Sequence, residues 1–245
     1  MTIWLMIGLL FAGGVAEHRA TFEDANRRFN EATGEEDYLE VAALYQSILD
    51  DGLESGVVLF NQGNAFVSAG EFGRALGCYR QALRHRPRDP LLKSNLELVQ
   101  ARVGASPAER GLLDHVVFWR RWLSNSEAAW GVVAIGAVAF LCAVLGLFFG
   151  RAPRILAAAA TALMLLFLIA FVFDQVEYEW TERGVVVATE AVARKGNAES
   201  FAAAFNEPLR EGTEFVILER SGDWIHAELP SGLDGWLPAA AVTSW

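Results

Sequence analysis

The 245-residue sequence is short of the residues that catalysis and covalent cross-linking require. It has only two cysteines, Cys78 and Cys142, and four histidines. Cys142 lies inside an apolar run and Cys78 in a predicted helix, so we predict no disulfide framework. The histidines share no metal-ligand spacing, and no Gly-x-Ser-x-Gly, phosphate-loop or His-Glu-x-x-His motif is present. We therefore expect a protein that is not an enzyme and that needs no cofactor or metal.

Positive charge is also scarce. The chain has 20 Lys and Arg against 30 Asp and Glu, a formal net charge of −10. A nucleic-acid-binding protein needs a basic face, so nucleic acid is excluded as an expected partner. Residues 184–245 carry 4 basic and 9 acidic residues. A binding surface in this segment would favour cationic or amine-bearing ligands.

Apolar residues, in contrast, are abundant. They make up 53% of the chain, the mean hydropathy is +0.26, and they concentrate at residues 3–16, 128–150 and 155–173. The second and third blocks contain no charge and have about the length, roughly 20 residues, that a membrane-spanning helix needs. Only the turn from Arg151 to Arg154 separates them. The sequence predicts transmembrane helices at 128–150 and 155–173, joined as a hairpin.

The first apolar block has the length of the core of a secretory signal. We predict a signal peptide at residues 1–16, either cleaved before residue 17 or retained as a short anchor. Export of the following residues agrees with a cytoplasmic Arg151–Arg154 turn under the positive-inside rule. The predicted location is the bacterial inner (cytoplasmic) membrane, in contact with lipid. Both soluble regions would then lie on the periplasmic or extracytoplasmic side, and residues 104–127 would form a juxtamembrane linker.

Residues 20–103 have apolar residues at helical spacing, and the stretch from Gly56 to Asp89 is 34 residues long. Small residues stand where two helices would cross, aromatic residues stand where they would fill the space between them, and a proline ends the second helix. These residues are Gly63, Ala75 and Ala82, then Phe66, Phe72 and Tyr79, and finally Pro87. The pattern resembles a tetratricopeptide repeat. With a degenerate repeat before it and a helix after it, we predict an all-α tetratricopeptide repeat domain at 20–103.

Three asparagines, Asn61, Asn64 and Asn95, are predicted to face the concave side of these repeats. Their amides can bind the backbone or the C-terminal carboxylate of another protein, so they are candidate partner-binding residues. Ser68 stands where carboxylate-binding repeats usually have a lysine, which weakens the prediction that these repeats bind a C-terminal carboxylate. The alternative is that Asn64 forms hydrogen bonds between neighbouring repeats.

From Gly184 onward, short β-branched and alternating runs are separated by turn residues, a pattern typical of strands. The segments Leu209-x-x-Gly-Thr, Gly-Asp-Trp224 and Gly-Trp236-Leu resemble bacterial SH3-like domains. The resemblance implies an all-β SH3-like barrel at residues 184–245. Trp224 and Trp236 are candidate partner-binding residues that could form a floor for a peptide or for peptidoglycan. Packing within the domain is the alternative for both.

The order of these regions resembles the BatE proteins of the Bacteroides-aerotolerance (Bat) group. That resemblance implies a multi-domain membrane protein that assembles with von Willebrand factor A-type Bat proteins beside a MoxR-type ATPase. It also implies a role in tolerance of oxidative or envelope stress.

Two functions follow from the sequence. The first is a membrane-anchored adaptor or scaffold that binds envelope proteins through its tetratricopeptide repeats. The alternative is a cell-wall protein that binds peptidoglycan through its SH3-like domain. Transport is disfavoured because the predicted spans contain no charged residue to line a path.

Overall fold

The computed structural model describes residues 2–104 and 122–245, with side chains from residue 16 onward in the first range. Most of the predicted juxtamembrane linker at 104–127 and nearly all side chains of the predicted signal peptide at 1–16 lie outside the described residues. The chain divides into two compact units. One unit joins the N-terminal helices to the strands from Arg183 onward, and the other contains the two apolar helices.

The N-terminal half of the first unit consists of helices, each of which packs against the next. They are α1 (Thr2–Glu31), α2 (Glu35–Asp50), α3 (Gly56–Ser68), α4 (Phe72–His85) and α5 (Pro90–Val103). Local chemistry sets their ends: the Ser55 hydroxyl accepts from the Val58 N–H before α3, and Asp89 caps α5 ahead of its proline. This helical region fits the predicted tetratricopeptide organisation.

The strands of the first unit form two antiparallel sheets. They are β1 (Arg183–Val186), β2 (Glu190–Ala191), β3 (Leu209–Arg210), β4 (Glu214–Ser221), β5 (Trp224–Glu228), β6 (Asp234–Pro238) and β7 (Val242–Ser244). The larger sheet has the order β6-β5-β4-β1-β7, and β2 pairs only with β3. Its inner face packs around Val186, Phe215 and Leu237.

The C-terminal region forms strands as predicted, and they pair antiparallel, but they do not form the closed barrel that the SH3-like resemblance implies. Among the described residues no ladder joins β6 to β7, so the larger sheet does not close on itself. The physical reason lies partly at the β6 edge, where Arg194 forms an isolated bridge with Trp236 and occupies the backbone groups that closure would need.

The second unit contains α6 (Asn125–Phe149) and α7 (Arg151–Trp180). Gly136 lies beside Met164 and Gly146 beside Arg154, so the two helices run antiparallel. The most apolar window of each helix has a mean hydropathy of 2.8, and only 11% and 6% of these windows are buried. Both helices are long and apolar enough to cross a membrane. Their low burial distinguishes them from the core helices of a soluble protein.

Candidate partner-binding surfaces

Asn61 forms part of a polar link between three successive helices. Its Nδ2 donates to Asn26 Oδ1 at 3.0 Å, and the Tyr45 hydroxyl donates to the same oxygen at 2.7 Å. These side chains come from α3, α1 and α2 respectively. The link therefore fixes the first helix of one pair against the neighbouring pair.

The same arrangement recurs one repeat later. Asn64 Oδ1 accepts from the Tyr79 hydroxyl at 2.7 Å and from Asn95 Nδ2 at 3.0 Å, which links α3, α4 and α5. The structure thus places all three predicted asparagines in hydrogen bonds between helix pairs. Contact of their remaining amide groups with a partner stays a prediction.

The tyrosines and Asn26 are members of these links that the sequence did not identify. Burial raises the pKa of both Tyr45 and Tyr79, so both hydroxyls stay protonated and keep donating at neutral pH. One signal was available: Tyr79 follows Tyr45 by 34 residues, as Asn95 follows Asn61. Such paired spacing in a repeat indicates that the residues act together.

An apolar stripe lies beside the asparagines on the first helices of the pairs. Leu91 and Leu98 are 66% and 62% exposed on α5, and Val57 is 44% exposed on α3. Leu91, Asn95 and Leu98 share one face because residues three or four apart in a helix are neighbours. We call Val57, Leu91 and Leu98 the apolar stripe.

The β-sheet packs against the outer face of α4, and an ion pair joins the two. The Arg80 guanidinium donates to both carboxylate oxygens of Glu214, with Nη2 2.7 Å from Oε1 and Nε 3.0 Å from Oε2. Both side chains are mostly buried, at 22% and 27% exposure. A two-point contact of this kind fixes orientation as well as distance.

Backbone contact reinforces this interface, because α4 has glycine where the sheet approaches. The Gly73 N–H donates to Glu211 Oε1 at 2.6 Å, and a Cβ at Gly73 would stand 2.7 Å from the Val186 carbonyl oxygen. Val185 is fully buried and belongs to the same core cluster as Leu76 of α4. The helices and the sheet therefore share a continuous apolar core.

Trp224 and Trp236 lie on the opposite side of β5 and β6 from the sheet's inner core. The register pairs His226 with Trp236 and Trp224 with Pro238. The rings of His226 and Trp236 stack with centroids 4.8 Å apart and planes 5° apart, while His226 Nε2 is 2.8 Å from Asp234 Oδ2. The two predicted tryptophans thus belong to one partly exposed face, and His226 is a third aromatic member that the sequence did not identify.

Chemically reactive groups are sparse in the described ranges 16–104 and 122–245. No group of three or more His, Cys, Asp or Glu side chains there is placed to hold a metal ion. Burial raises the pKa of the Cys78 thiol to about 12, and its Sγ donates to Gln62 Oε1 at 3.3 Å. This thiol is therefore protonated and unreactive at neutral pH.

Comparison with known proteins finds one partial similarity. The chain is 31% identical over 86 residues to the photosystem I assembly protein Ycf3 of Prochlorococcus marinus (strain MIT 9211). The aligned segment covers 34% of this chain and 50% of that protein, so the chain spans about half the length of the curated relative it matches. No family model matches the chain, and no solved structure matches it significantly.

Proposed function

We propose that this chain is a membrane-anchored adaptor that holds a protein partner on its helical repeats. The observation that carries the proposal is the apolar stripe of Val57, Leu91 and Leu98, which is exposed on helices that the asparagine–tyrosine links hold rigid. Exposed apolar side chains on a fixed scaffold are typical of partner-binding surfaces. Similarity to a protein named for assembly of a larger complex supports the same role.

The anchor is the α6–α7 hairpin. The segments before and after this hairpin fold into one compact unit. If both helices cross the membrane, two crossings return the chain to its starting side, which agrees with that common unit. The structure puts the break between the helices at Gly150, so the predicted turn residues Arg151 and Arg154 lie in the first turn of α7. At the tip of the hairpin, these two arginines favour the cytoplasm for the tip and the extracytoplasmic side of the inner membrane for the folded unit.

The partner belongs to the cell envelope under this proposal. The resemblance to BatE proteins makes von Willebrand factor A-type Bat proteins the first partners to examine, within a complex that acts in stress tolerance. The alternative role is peptidoglycan binding through Trp224 and Trp236, and sedimentation of the full chain with purified peptidoglycan tests it.

Co-purification tests the adaptor role. The full chain is expressed in its native host, solubilised in mild detergent and purified through an affinity tag. Leu91→Ser combined with Leu98→Ser should lose the co-purifying proteins that the unchanged chain retains. The matched control, Lys93→Ser combined with Glu97→Ser, alters exposed residues on another side of α5 and should retain them. Equal recovery with both variants, or recovery of no specific protein, would overturn the proposal.

A further inference from the structure

The two apolar helices are joined by a single residue. Gly150 lies between Phe149, the last residue of α6, and Arg151, the first residue of α7. Its φ of +91° is in a region that favours glycine. The chain therefore reverses without a longer loop, and the two helix ends stand close together. We call residues 150–154 the hairpin tip.

Charge at the hairpin tip has one sign. Arg151 and Arg154 are both exposed, and they are the only charged residues from 128 to 173. Along the two helices the next carboxylates are Glu127, at the start of α6, and Asp174, towards the end of α7. The helical rise puts each of them about 30 Å or more from the arginines. Among the described residues of this unit, no carboxylate lies near enough to neutralise the tip.

One of the two arginines is held in place. Arg154 Nε donates to the Gly146 carbonyl oxygen at 2.8 Å, one of the carbonyl groups that the last turn of a helix leaves without a helical partner. The Arg154 side chain forms no other hydrogen bond or ion pair with the described residues, and the Arg151 side chain forms none. The Nη groups of Arg154 and the whole guanidinium of Arg151 are therefore available to a ligand.

The spacing of the arginines suits a single phosphate group. Residues three apart in a helix are neighbours, with Cβ atoms about 5–6 Å apart, so both guanidinium groups can reach the same anion. A guanidinium donates parallel N–H groups that match phosphate oxygens. Because the bond to Gly146 already fixes Arg154, this side chain loses less conformational freedom when an anion binds.

The lengths of the helices place this anion at the depth of lipid headgroups. Trp130 is 72% exposed on α6, and tryptophan near the end of a membrane helix is typical of the membrane–water interface. The rise from Trp130 to the end of α6 is about 30 Å, as is the rise from Arg154 to Asp174. The hydrocarbon core is also about 30 Å thick. With Trp130 and Asp174 at one membrane surface, the hairpin tip reaches the headgroups of the other.

We propose that the hairpin tip binds the phosphate of an anionic phospholipid between Arg151 and Arg154. The proposal rests on the membrane crossing of the α6–α7 hairpin put forward above, and it names the lipid class that this anchor selects. A zwitterionic lipid is disfavoured because its cationic group would approach two arginines. Anionic lipids on the cytoplasmic leaflet attract basic residues near the membrane surface, which agrees with a cytoplasmic tip.

Lipid selectivity tests the proposal on the full chain. The purified protein is reconstituted into phosphatidylcholine vesicles that contain a trace of spin-labelled phosphatidylglycerol or spin-labelled phosphatidylcholine. Electron paramagnetic resonance gives the fraction of each labelled lipid that the protein immobilises. The unchanged chain should immobilise phosphatidylglycerol about fivefold more strongly than phosphatidylcholine.

Charge variants locate the site. Arg151→Gln combined with Arg154→Gln should lower the preference for phosphatidylglycerol to about twofold or less. The matched control, Lys195→Gln combined with Arg210→Gln, removes the same charge from exposed residues of the C-terminal strand region and should leave the preference unchanged. Circular dichroism of each variant verifies that the fold is retained.

A glycine variant tests the geometry without altering the charge. A Cβ at Gly146 would stand 2.6 Å from Arg154 Cγ, so Gly146→Ala displaces the arginine side chain. The preference should then fall about twofold although both arginines remain. Gly136→Ala is the control because its Cβ meets the Met164 sulfur instead, and it should keep the full preference.

Separate outcomes test the lipid site and the membrane anchor. Equal immobilisation of the two lipids by the unchanged chain would overturn the lipid site alone, as would a preference that survives loss of both tip arginines. Immobilisation of neither lipid would mean that the hairpin does not enter the bilayer, and it would overturn the anchor of the proposed function as well. Equal immobilisation, together with loss of co-purifying proteins from the Arg151→Gln and Arg154→Gln variant, would assign the arginines to an acidic protein segment instead.

Discussion

Two antiparallel helix pairs in this chain place their apolar side chains differently. In the pair α3–α4, Leu76 and Ala75 are completely buried and Tyr79 is 1% exposed. In the pair α6–α7, Phe140 and Leu147 are each 72% exposed. The α3–α4 pair therefore has a buried core, while the α6–α7 pair exposes large apolar side chains.

The difference shows what each pair uses for stability. The α3–α4 pair is covered by neighbouring helices and by the sheet, so the burial of large side chains away from water stabilises it. The α6–α7 pair has small residues at its crossing points, Gly136 and Gly146, and directs its large residues outward. That distribution is typical of helices whose surroundings are lipid, where association depends on close backbone packing.

The largest expected effect comes from shortening a leucine in each pair. Leu76→Ala should lower the free energy of unfolding of the helical region by about 3 kcal/mol, because it removes a buried side chain and leaves a cavity. Leu147→Ala should change stability by less than about 0.5 kcal/mol, because the side chain is already exposed. Urea unfolding in detergent, followed by circular dichroism, measures both. A comparable loss of unfolding free energy in the two variants would show that Leu147 is buried as Leu76 is.

Replacing a glycine by alanine should lower the stability of the α3–α4 pair and raise that of the α6–α7 pair. Gly63→Ala would place a Cβ 2.5 Å from the Tyr79 ring, which is buried and hydrogen-bonded to Asn64 and has little room to move. We expect a loss of about 2 kcal/mol. Gly136→Ala meets only the flexible sulfur of Met164 at 3.0 Å and should stabilise α6 by about 0.5 kcal/mol, because alanine favours helix over glycine.

Hydrogen exchange of the α3 and α6 amides distinguishes these two glycine variants. Faster exchange in α3 and slower exchange in α6 is the expected result. Faster exchange in both would mean that the α6–α7 crossing is as tight as the α3–α4 crossing.

Local patterns allowed the helices to be predicted from sequence, but not their long-range contacts. Spacing within 34 residues was enough to locate α3 and α4, because the small and aromatic positions of a helix pair are close in sequence. The contact between Arg80 and Glu214 joins residues 134 positions apart, and no periodic pattern connects them. Trp224 and Trp236 could be identified as a pair, but the stacking of His226 required the strand register.

The third prediction concerns the contact between α4 and the β-sheet. Replacing Arg80 or Glu214 by alanine should weaken the contact between helix and sheet, and a double-mutant cycle should give a coupling of about 1 kcal/mol. The exposed pair Arg19 and Glu23 on α1 is the control, and it should show no measurable coupling. Absence of coupling between Arg80 and Glu214 would mean that the sheet is held to α4 only by the apolar core around Val185.

The smallest expected effect is a pH dependence confined to the helical repeats. His85 lies at the end of α4, and burial lowers its pKa from the ordinary 6.5, with Glu54 opposing the shift and Arg84 adding to it. Because the unfolded chain then binds the proton more readily than the folded one, His85 contributes its full stability above about pH 6.5 and loses it as the pH falls through the lower folded value. His85→Asn should therefore flatten the fall in unfolding free energy below pH 6.5. The predicted spans at 128–150 and 155–173 contain no charged residue, so hydrogen exchange in α6, corrected for intrinsic rates, should show no matching change. A fall in stability that is equally steep with and without His85 would assign the acid sensitivity to other groups of the repeats.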